Sequence, residues 1–312
     1  MNSKKMISVV VPVYNEVEML EEVYSRTTEV MKKLNEYDYE IVFFDDGSTD
    51  GSREKEEELC SADEHVKAVL YSRNFGYSKN IYYSMREAKG DCTIILHADL
   101  QNPPELIPEF IEKWEKGSDI VLGVKNKSRE NPFVYLMRSF FYFLVRAVFG
   151  VKLIPHATEF ELFDKSFTAV LKKTAVPRPF LREIILEYGR RFDYVYYTQD
   201  KRKKGKSKFN ISRYYDFAIC GIANMATKLP RRMLVFSGLC LIAALAETLF
   251  NYIPDYLHGY VYSLTNGLVL RGTLMIAIII LGFLSIMLEF IVHIIATVNQ
   301  KPIVVEEKRI NY

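Results

Sequence analysis

The sequence predicts an α/β domain with a mainly parallel sheet, followed by juxtamembrane helices and a two-helix transmembrane hairpin. Short apolar runs alternate with helical patterns up to about residue 200, and this alternation is typical of βαβ units. Two long apolar segments follow at residues 233–253 and 272–298. Each is long enough to cross roughly 30 Å of hydrocarbon. Basic residues flank the outer ends of this pair of segments rather than the linker between them.

A chain of 312 residues is long enough for one large domain and a smaller module. We place the α/β domain at residues 1–210. Five apolar runs are the strand candidates, and a helix candidate follows each of the first four. The strand candidates are residues 7–13, 40–44, 66–71, 93–96 and 120–124. The helix candidates are residues 17–35, 51–62, 78–89 and 104–116.

The second half of the chain carries the membrane signals. Residues 133–146 are aromatic with sparse arginine, which fits a helix lying in a membrane interface and fits an ordinary buried helix equally well. Residues 211–232 predict an amphipathic juxtamembrane helix, residues 233–298 the hairpin, and residues 299–312 a tail. By the positive-inside rule, the flanking charges place the domain and the tail in the cytoplasm. We therefore expect a multi-pass protein of the cell's inner membrane.

Carboxylates follow the second and the fourth strand candidates. Asp45 and Asp46 begin an acidic turn, and Asp99 belongs to a second acidic motif. Ligands of open α/β sheets bind at the carboxyl ends of strands, and carboxylates there suit a divalent cation and the hydroxyls of a nucleotide sugar. The alternatives are a plain Asx turn for Asp45 and Asp46 and a helix cap for Asp99.

The distribution of charge and the spacing of the cysteines indicate which binding partners and which kinds of cysteine site to expect. The net charge of +2 is unevenly spread, since basic residues crowd the stretch 201–213. Such a cluster fits phosphate, an anionic membrane surface or a solvated loop. The four cysteines form no C-x-x-C pair, so we expect reduced thiols and neither a disulfide framework nor a zinc site. No nucleic-acid partner is expected.

Four motifs occur in order: V-P-V-Y-N-E at 11–16, D-D-G-S-T-D-G at 45–51, S-R-N-F-G at 72–76 and A-D-L-Q-N-P-P-E at 98–105. Together they resemble the family 2 glycosyltransferases with a GT-A fold. The basic segment at 202–209 is similar to that family's R-x-x-G-x-S-K-Y element. The segment from Glu289 to Pro302 resembles the end of the membrane hairpin in the family's polyprenyl-phosphate branch. That branch is similar to dolichyl-phosphate mannosyltransferase and bacterial undecaprenyl-phosphate glucosyltransferases. The resemblance spans nearly the whole chain.

The resemblance implies inverting transfer of a hexose from a UDP- or GDP-linked sugar to polyprenyl phosphate at the cytoplasmic membrane face, feeding cell-surface glycan modification. It implies Mg²⁺ or Mn²⁺, because a hard cation neutralises the leaving pyrophosphate. The predicted metal ligands are Asp99 and Gln101, and the predicted catalytic residues are Asp99, Glu159 and Arg202. The predicted nucleotide-binding residues are Pro12, Tyr14, Asn15, Glu16, Asp45, Asp46 and Arg73. The predicted acceptor-phosphate residues are Arg202, Lys206 and Lys208.

Three departures from the family pattern cluster around the expected donor sugar. His97 stands where an aspartate is usual, Glu161 replaces an arginine, and residues 77–80 replace small residues. The sugar, the base and the lipid length therefore stay open, as does a homo-oligomeric state. The alternative is a catalytically impaired relative that acts as a membrane-bound sugar-nucleotide-binding or scaffold protein. A processive polysaccharide synthase is disfavoured, because Trp114, the only tryptophan, is not in a Q-x-x-R-W motif.

Overall fold

The computed structural model describes residues 4–125, 154, 157–174, 176, 179–198 and 302–312, together with scattered helical positions between residues 239 and 298. The basic segment 202–209, the helix expected at 211–232 and most of both predicted spans lie outside the described residues. Among the positions that are described, no helix is both long enough and apolar enough to cross a membrane.

A single eight-stranded sheet organises the domain, and its first half is parallel as the sequence predicts. Strand β1 (Met6–Val13) lies between β2 (Asp38–Asp45) and β4 (Cys92–Ile95), and β3 (Val66–Tyr71) follows on the far side of β2. All three of these pairings are parallel. The strands are almost continuously buried, as expected when helices cover both faces of a parallel sheet.

Four helical segments connect these strands close to the predicted positions. They are α1 (Val17–Lys33), α2 (Ser52–Ala62), α3 (Tyr77–Glu87) and α4 (Ile107–Glu115), the last preceded by a 3₁₀ turn at Pro104–Leu106. Each buries one stripe of side chains, such as Met19, Leu20 and Val23 of α1, because residues three and four apart share a helix face. Two apolar clusters result, one on each face of the sheet.

The other half of the sheet begins with β5 (Ile120–Lys125), which the sequence predicts as the fifth strand. The elements that follow were not assigned from the sequence: they are β6 (Ala157–Asp164), α5 (Lys165–Lys173), α6 (Leu181–Tyr188) and β7 (Phe192–Tyr197). Strand β6 runs antiparallel between β4 and β5, and β7 pairs in parallel with β5. The antiparallel insertion of β6 brings Glu161 opposite Ile95, at the end of β4.

Residues that we predicted as a tail form an edge strand. Strand β8 (Glu306–Ile310) pairs antiparallel with β3, which gives the order β7-β5-β6-β4-β1-β2-β3-β8. It covers the open edge of β3, a position that would otherwise expose unpaired backbone groups. The end of the described chain is therefore part of the same sheet as its beginning.

Candidate active site

The candidate site lies at the edge where β1, β2 and β4 end. The chain passes from β1 to β2 and β3 on one side and returns to β4 on the other side of β1. The crevice between β1 and β4 is thus the topological switch point of the sheet, where open α/β folds bind ligands. The loops that follow the three strands carry the V-P-V-Y-N-E, D-D-G-S-T-D-G and A-D-L-Q-N-P-P-E motifs.

The first two loops are hydrogen-bonded to each other. The Asn15 N–H donates to Ser48 Oγ at 2.8 Å, and the Thr49 N–H donates to Asn15 Oδ1 at 2.7 Å. The Glu16 N–H donates to Ser52 Oγ at 3.1 Å. Asn15 has a φ of 55°, a left-handed conformation that asparagine tolerates better than most residues. These bonds fix the loop after β1 on the acidic turn.

Pro12, Tyr14 and Glu16 surround Asn15 and are each half-buried. They belong to the same loop cluster at the end of β1, so the structure brings the predicted nucleotide residues of the first motif together with those of the second. Their contact with a nucleotide stays a prediction.

Asp45 supports the acidic turn from inside the protein. The carboxylate is fully buried, and its Oδ1 accepts from the Ser48 N–H at 2.8 Å and from Arg53 Nε at 3.2 Å. Its Oδ2 has no hydrogen-bond partner among the described residues. Asp45 therefore stabilises the turn through its bond with the Ser48 N–H, and its contact with a nucleotide stays a prediction.

Asp46 anchors the loop at 72–76. It is 2% exposed, and it accepts from the Phe75 N–H at 2.6 Å and from the Gly76 N–H at 2.9 Å. Burial raises the pKa of Asp46 to about 6, against the opposing effect of these two bonds. The guanidinium of Arg73, an exposed residue, lies over the Phe75 ring at 4.8 Å. The loop that carries Arg73 is thus positioned by Asp46.

The predicted metal ligands lie in the loop after β4. Asp99 is half-buried, and its Oδ1 accepts from the Gln101 N–H at 3.1 Å, which closes a tight turn. Leu100 between them has a φ of 51°. The buried Asn102 holds the loop to β7 through the Tyr197 hydroxyl. The turn places both predicted ligands at the switch point.

His97, Tyr77 and Glu159 form a second polar group beside this loop. The Tyr77 hydroxyl donates to Glu159 Oε2 and lies 3.4 Å from His97 Nε2. The Tyr77 and His97 rings are stacked, with centroids 5.9 Å apart. Tyr77, one of the positions that depart from the family pattern, therefore contacts both His97, another such position, and Glu159, a predicted catalytic residue.

Glu161 is buried behind Glu159 on β6. It is 2% exposed, and its Oε2 has no hydrogen-bond partner among the described residues. Burial raises the pKa of Glu161 well above its usual range, the charge of Glu159 raises it further, and Arg182 opposes both effects. Burial therefore disfavours the charged form of Glu161, at the position where the family usually has an arginine.

A cavity opens next to these side chains, between α3, β6 and the start of α6. It is lined by Tyr77, Ser78, Ile81, Glu159, Phe180, Leu181 and Arg182.

The sequence did not single out Phe180 or Arg182, since neither lies in a recognisable motif. Ser48 lies within the quoted motif at 45–51 and Ser52 follows it directly, but their spacing does not reveal which loop they bind. Arg202, Lys206 and Lys208 lie outside the described residues.

The oxygen atoms of the Asp99 and Gln101 side chains suit a hard divalent cation. Within the described part of the chain, no three His, Cys, Asp or Glu side chains are grouped to hold a metal ion. Mg²⁺ is commonly held by one or two carboxylates, with waters and substrate phosphates as the other ligands. Asp99 with the Gln101 amide oxygen fits that pattern and does not fit a cage made only of protein ligands.

Comparison with known proteins identifies similar chains and folds. The sequence model described as Glycosyl transferase family 2 matches residues 8–189. The chain is 31% identical over 305 residues to an uncharacterized glycosyltransferase, YkcC, of Bacillus subtilis, covering 96% of this chain and 93% of that protein. It is 30% identical over 305 residues to the SfII prophage-derived bactoprenol glucosyl transferase of Shigella flexneri, covering 95% and 96% of the two chains.

Solved structures show the same fold at low sequence identity. Glucosyl-3-phosphoglycerate synthase from Mycobacterium tuberculosis, in complex with phosphoglyceric acid, matches with a TM-score of 0.51 and 14% identity over 72% of this chain and 80% of that one. The same protein in complex with Mn²⁺, UDP and phosphoglyceric acid matches with a TM-score of 0.50 and 15% identity over 72% and 78%. The α/β arrangement with a mainly parallel sheet is thus the GT-A-like architecture that the motifs imply.

Proposed function

The chain belongs to glycosyl transferase family 2, and from that premise we propose that it transfers a hexose from a nucleotide diphosphate sugar to polyprenyl phosphate at the cytoplasmic face of the membrane. One observation carries the proposal. The loops after β1, β2 and β4 meet at the switch point of the sheet, and they bring the predicted donor residues to one crevice. The similarity to a bactoprenol glucosyl transferase over 95% of this chain supports the lipid acceptor.

On the donor side, the first loop binds the nucleotide and the loop after β4 holds its diphosphate. Asn15 and its neighbours are fixed by the acidic turn, so they bind without the cost of ordering a free loop. Asp99 and Gln101 would hold a Mg²⁺ or Mn²⁺ ion, which would supply positive charge to the leaving diphosphate. His97, Tyr77 and Glu159 then lie where the sugar would be, and the departures from the family pattern at His97 and Tyr77 make these two the residues that select it.

On the acceptor side, the nucleophile needs cationic positioning more than a base. A phosphate monoester has its second pKa near 6 and is largely dianionic at neutral pH. Arg202, Lys206 and Lys208 supply the cations in this proposal, just before the membrane segments. In-line attack on the anomeric carbon then inverts its configuration, while Glu159 borders the approach of the acceptor.

The proposed hairpin has two kinds of support. Described helical positions between residues 276 and 298 carry apolar side chains that are 47% to 71% exposed; they are Ile276, Ile280, Leu284, Met287, Leu288, Ile291, Ile294, Ile295 and Val298. Exposed apolar surface of this kind fits lipid contact. Moreover, β8 shares a sheet with β1 to β7, so any crossings between β7 and β8 must be even in number.

The proposal is tested by asking whether nucleotide release depends on the acceptor phosphate. Purified full-length protein is incubated with Mg²⁺ or Mn²⁺, a panel of UDP- and GDP-sugars, and either a short polyprenyl phosphate or the matching polyprenol. We expect one sugar nucleotide to yield nucleoside diphosphate with the phosphate lipid and none with the alcohol. Binding of a sugar nucleotide without turnover would instead favour the catalytically impaired relative, and release that ignores the lipid would refute the acceptor.

A further inference from the structure

The C-terminal strand is firmly docked on the catalytic domain. The strand β8 pairs with β3, and just before it Val305 O accepts from the Ser72 N–H at 2.9 Å. Val304 is buried in the core on one face of the sheet. The Asn311 side-chain amide donates to Cys60 O at 2.6 Å and to Val66 O at 3.0 Å, which ties the strand to α2 and β3. This end of the chain, which follows the apolar segment 272–298, is therefore held against β3 and α2 of the catalytic domain.

One side chain of this strand reaches the acidic turn through an arginine. Arg53 Nη1 bonds Glu307 Oε2 at 3.0 Å, and Arg53 Nε bonds Asp45 Oδ1 at 3.2 Å. Arg53 Nη2 also donates to Tyr71 O, at the end of β3. The planar guanidinium is thus fixed by three acceptors, an arrangement that lysine cannot reproduce. Glu307 fixes Nη1 of the rigid guanidinium, and so it limits the position at which Nε bonds Asp45.

The hydrogen bonds continue from Asp45 to the predicted nucleotide loop. Asp45 Oδ1 also accepts from the Ser48 N–H, and Ser48 Oγ accepts from the Asn15 N–H. A connected chain therefore runs from Glu307 through Arg53, Asp45 and Ser48 to Asn15. Because Asp45 is fully buried, its charge depends on Arg53 for compensation, and loss of that cation would leave a buried carboxylate poorly satisfied.

We propose that Glu307 and Arg53 are positioning residues for the donor nucleotide, which makes nucleotide binding depend on the docked C-terminal strand. The inference rests on the proposed function, because it takes the loop around Asn15 as the nucleotide site. It assigns the residues after the apolar segment 272–298 a role in the donor half of the reaction. The acceptor half uses other residues and is not coupled to this chain of bonds.

Two adjacent residues of β8 provide a matched comparison. Glu307 is 56% exposed and pairs with Arg53, whereas Lys308 is 54% exposed and pairs with Glu57 at 2.8 Å. Glu307→Gln and Lys308→Gln each replace one charged side chain of the same strand by glutamine. Only the first breaks an ion pair that leads to Asp45.

The experiment measures binding of UDP and of GDP, with Mg²⁺, to the full-length protein by calorimetry, together with thermal unfolding and steady-state kinetics. We expect Glu307→Gln to weaken nucleotide binding about twofold to fivefold, the range that a partly exposed ion pair supplies. Glu307→Asp should recover part of that loss. Arg53→Gln should weaken binding about tenfold or more, because it leaves Asp45 without its cation. Lys308→Gln should bind as the wild type does, and KM for polyprenyl phosphate should stay unchanged in all variants.

Equal nucleotide affinity for Glu307→Gln, Lys308→Gln and the wild type would overturn the inference and leave the proposed function intact. A purely structural role would lower the melting temperature of both variants alike without separating their affinities, and would also overturn it. A folded wild-type protein that binds neither UDP nor GDP would overturn the proposed function, and the inference with it. Should Arg53→Gln fail to fold, the comparison of positions 307 and 308 still decides.

Discussion

Asp99 is the residue on which the proposed chemistry depends most. Its carboxylate lies at the end of β4 in a tight turn with Gln101. The Asp99 carboxylate and the Gln101 amide oxygen form the proposed cation site. Loss of the cation removes several kcal/mol of transition-state stabilisation. We therefore expect Asp99→Ala to lower kcat/KM by about a thousandfold or more, with an unchanged melting temperature.

The matched control for Asp99→Ala is Asp91→Ala, because Asp91 lies at the opposite end of β4 and bonds the Met6 N–H and Lys165. The control should keep its turnover even if it loses some stability. Near-normal kcat/KM in a folded Asp99→Ala protein would remove Asp99 from the cation site.

Glu56 of α2 gives a prediction about stability and pH. It is fully buried, and neither carboxyl oxygen has a hydrogen-bond partner among the described residues. Burial raises the pKa of Glu56 well above its usual range, and the charge of Asp45 raises it further. The unfolded chain ionises this group near pH 4.3, so above that pH unfolding releases a proton and the protein loses up to about 1.4 kcal/mol of stability per pH unit.

Glu56→Gln removes this dependence. The variant should melt at the same temperature as the wild type near pH 4.3 and at a higher temperature at pH 7, measured by thermal unfolding across that range. Glu54→Gln, an exposed change on the same helix, should leave the profile unaltered. A wild-type advantage at pH 7 would mean that the charged form of Glu56 stabilises the fold.

Single residues also show how far the sequence can be taken. The pattern located Asp45, Asp46 and Asp99 correctly at strand ends, because apolar runs reveal where strands stop. It did not reveal that Asp45 and Asp46 are buried and accept hydrogen bonds from loop backbone N–H groups. Side-chain direction after a strand depends on the turn, and the partners of these carboxylates lie up to 30 residues away.

At the scale of elements, the contact between the acidic turn and the loop at 72–76 depends on Gly47. Gly47 has a φ of +73°, and a Cβ there would lie 2.5 Å from Arg73 C and 2.6 Å from Asn74 N. Gly76 has a φ of +98° but nothing within 4 Å of its Cβ position. Alanine is strained at both positions, and only at Gly47 does it also push two loops apart.

We therefore expect Gly47→Ala to weaken UDP or GDP binding by at least about tenfold, corresponding to one loop contact of roughly 1.4 kcal/mol. Gly76→Ala should lose stability with a smaller change in nucleotide affinity. Calorimetric titration of the two variants compares them directly. Equal affinities would show that the nucleotide does not depend on the packing of these loops.

The elements that the sequence missed have a common cause. Strands β1 to β4 are continuous apolar runs, and their positions agree with the prediction. Strand β6 contains Glu159 and the buried Glu161, and glutamates in a sequence usually indicate surface positions. Strand β8 is polar because it is an edge strand, and only its partner β3 specifies it. Both β6 and β8 are strands because of the neighbouring strands of the sheet, and their own sequences do not reveal this.

At the scale of the whole molecule, the proposed hairpin places the linker between the two apolar segments outside the cell. A chain whose four natural cysteines are replaced should, with Tyr260→Cys, react with an impermeant thiol reagent in intact cells. With Lys308→Cys, on β8, it should react only after the membrane is broken, since β8 belongs to the catalytic sheet. Labelling of both positions only after rupture would contradict the proposed topology.

The central claim is the transfer itself, and the lipid product tests it most directly. Full-length protein is incubated with its sugar nucleotide, Mg²⁺ and a short polyprenyl phosphate, and the lipid is examined by mass spectrometry and NMR. We predict a lipid heavier by one hexose residue, joined through the phosphate with the anomeric configuration inverted, and absent with Asp99→Ala. A retained configuration, or an unmodified lipid alongside a folded enzyme that consumes the sugar nucleotide, would contradict the account.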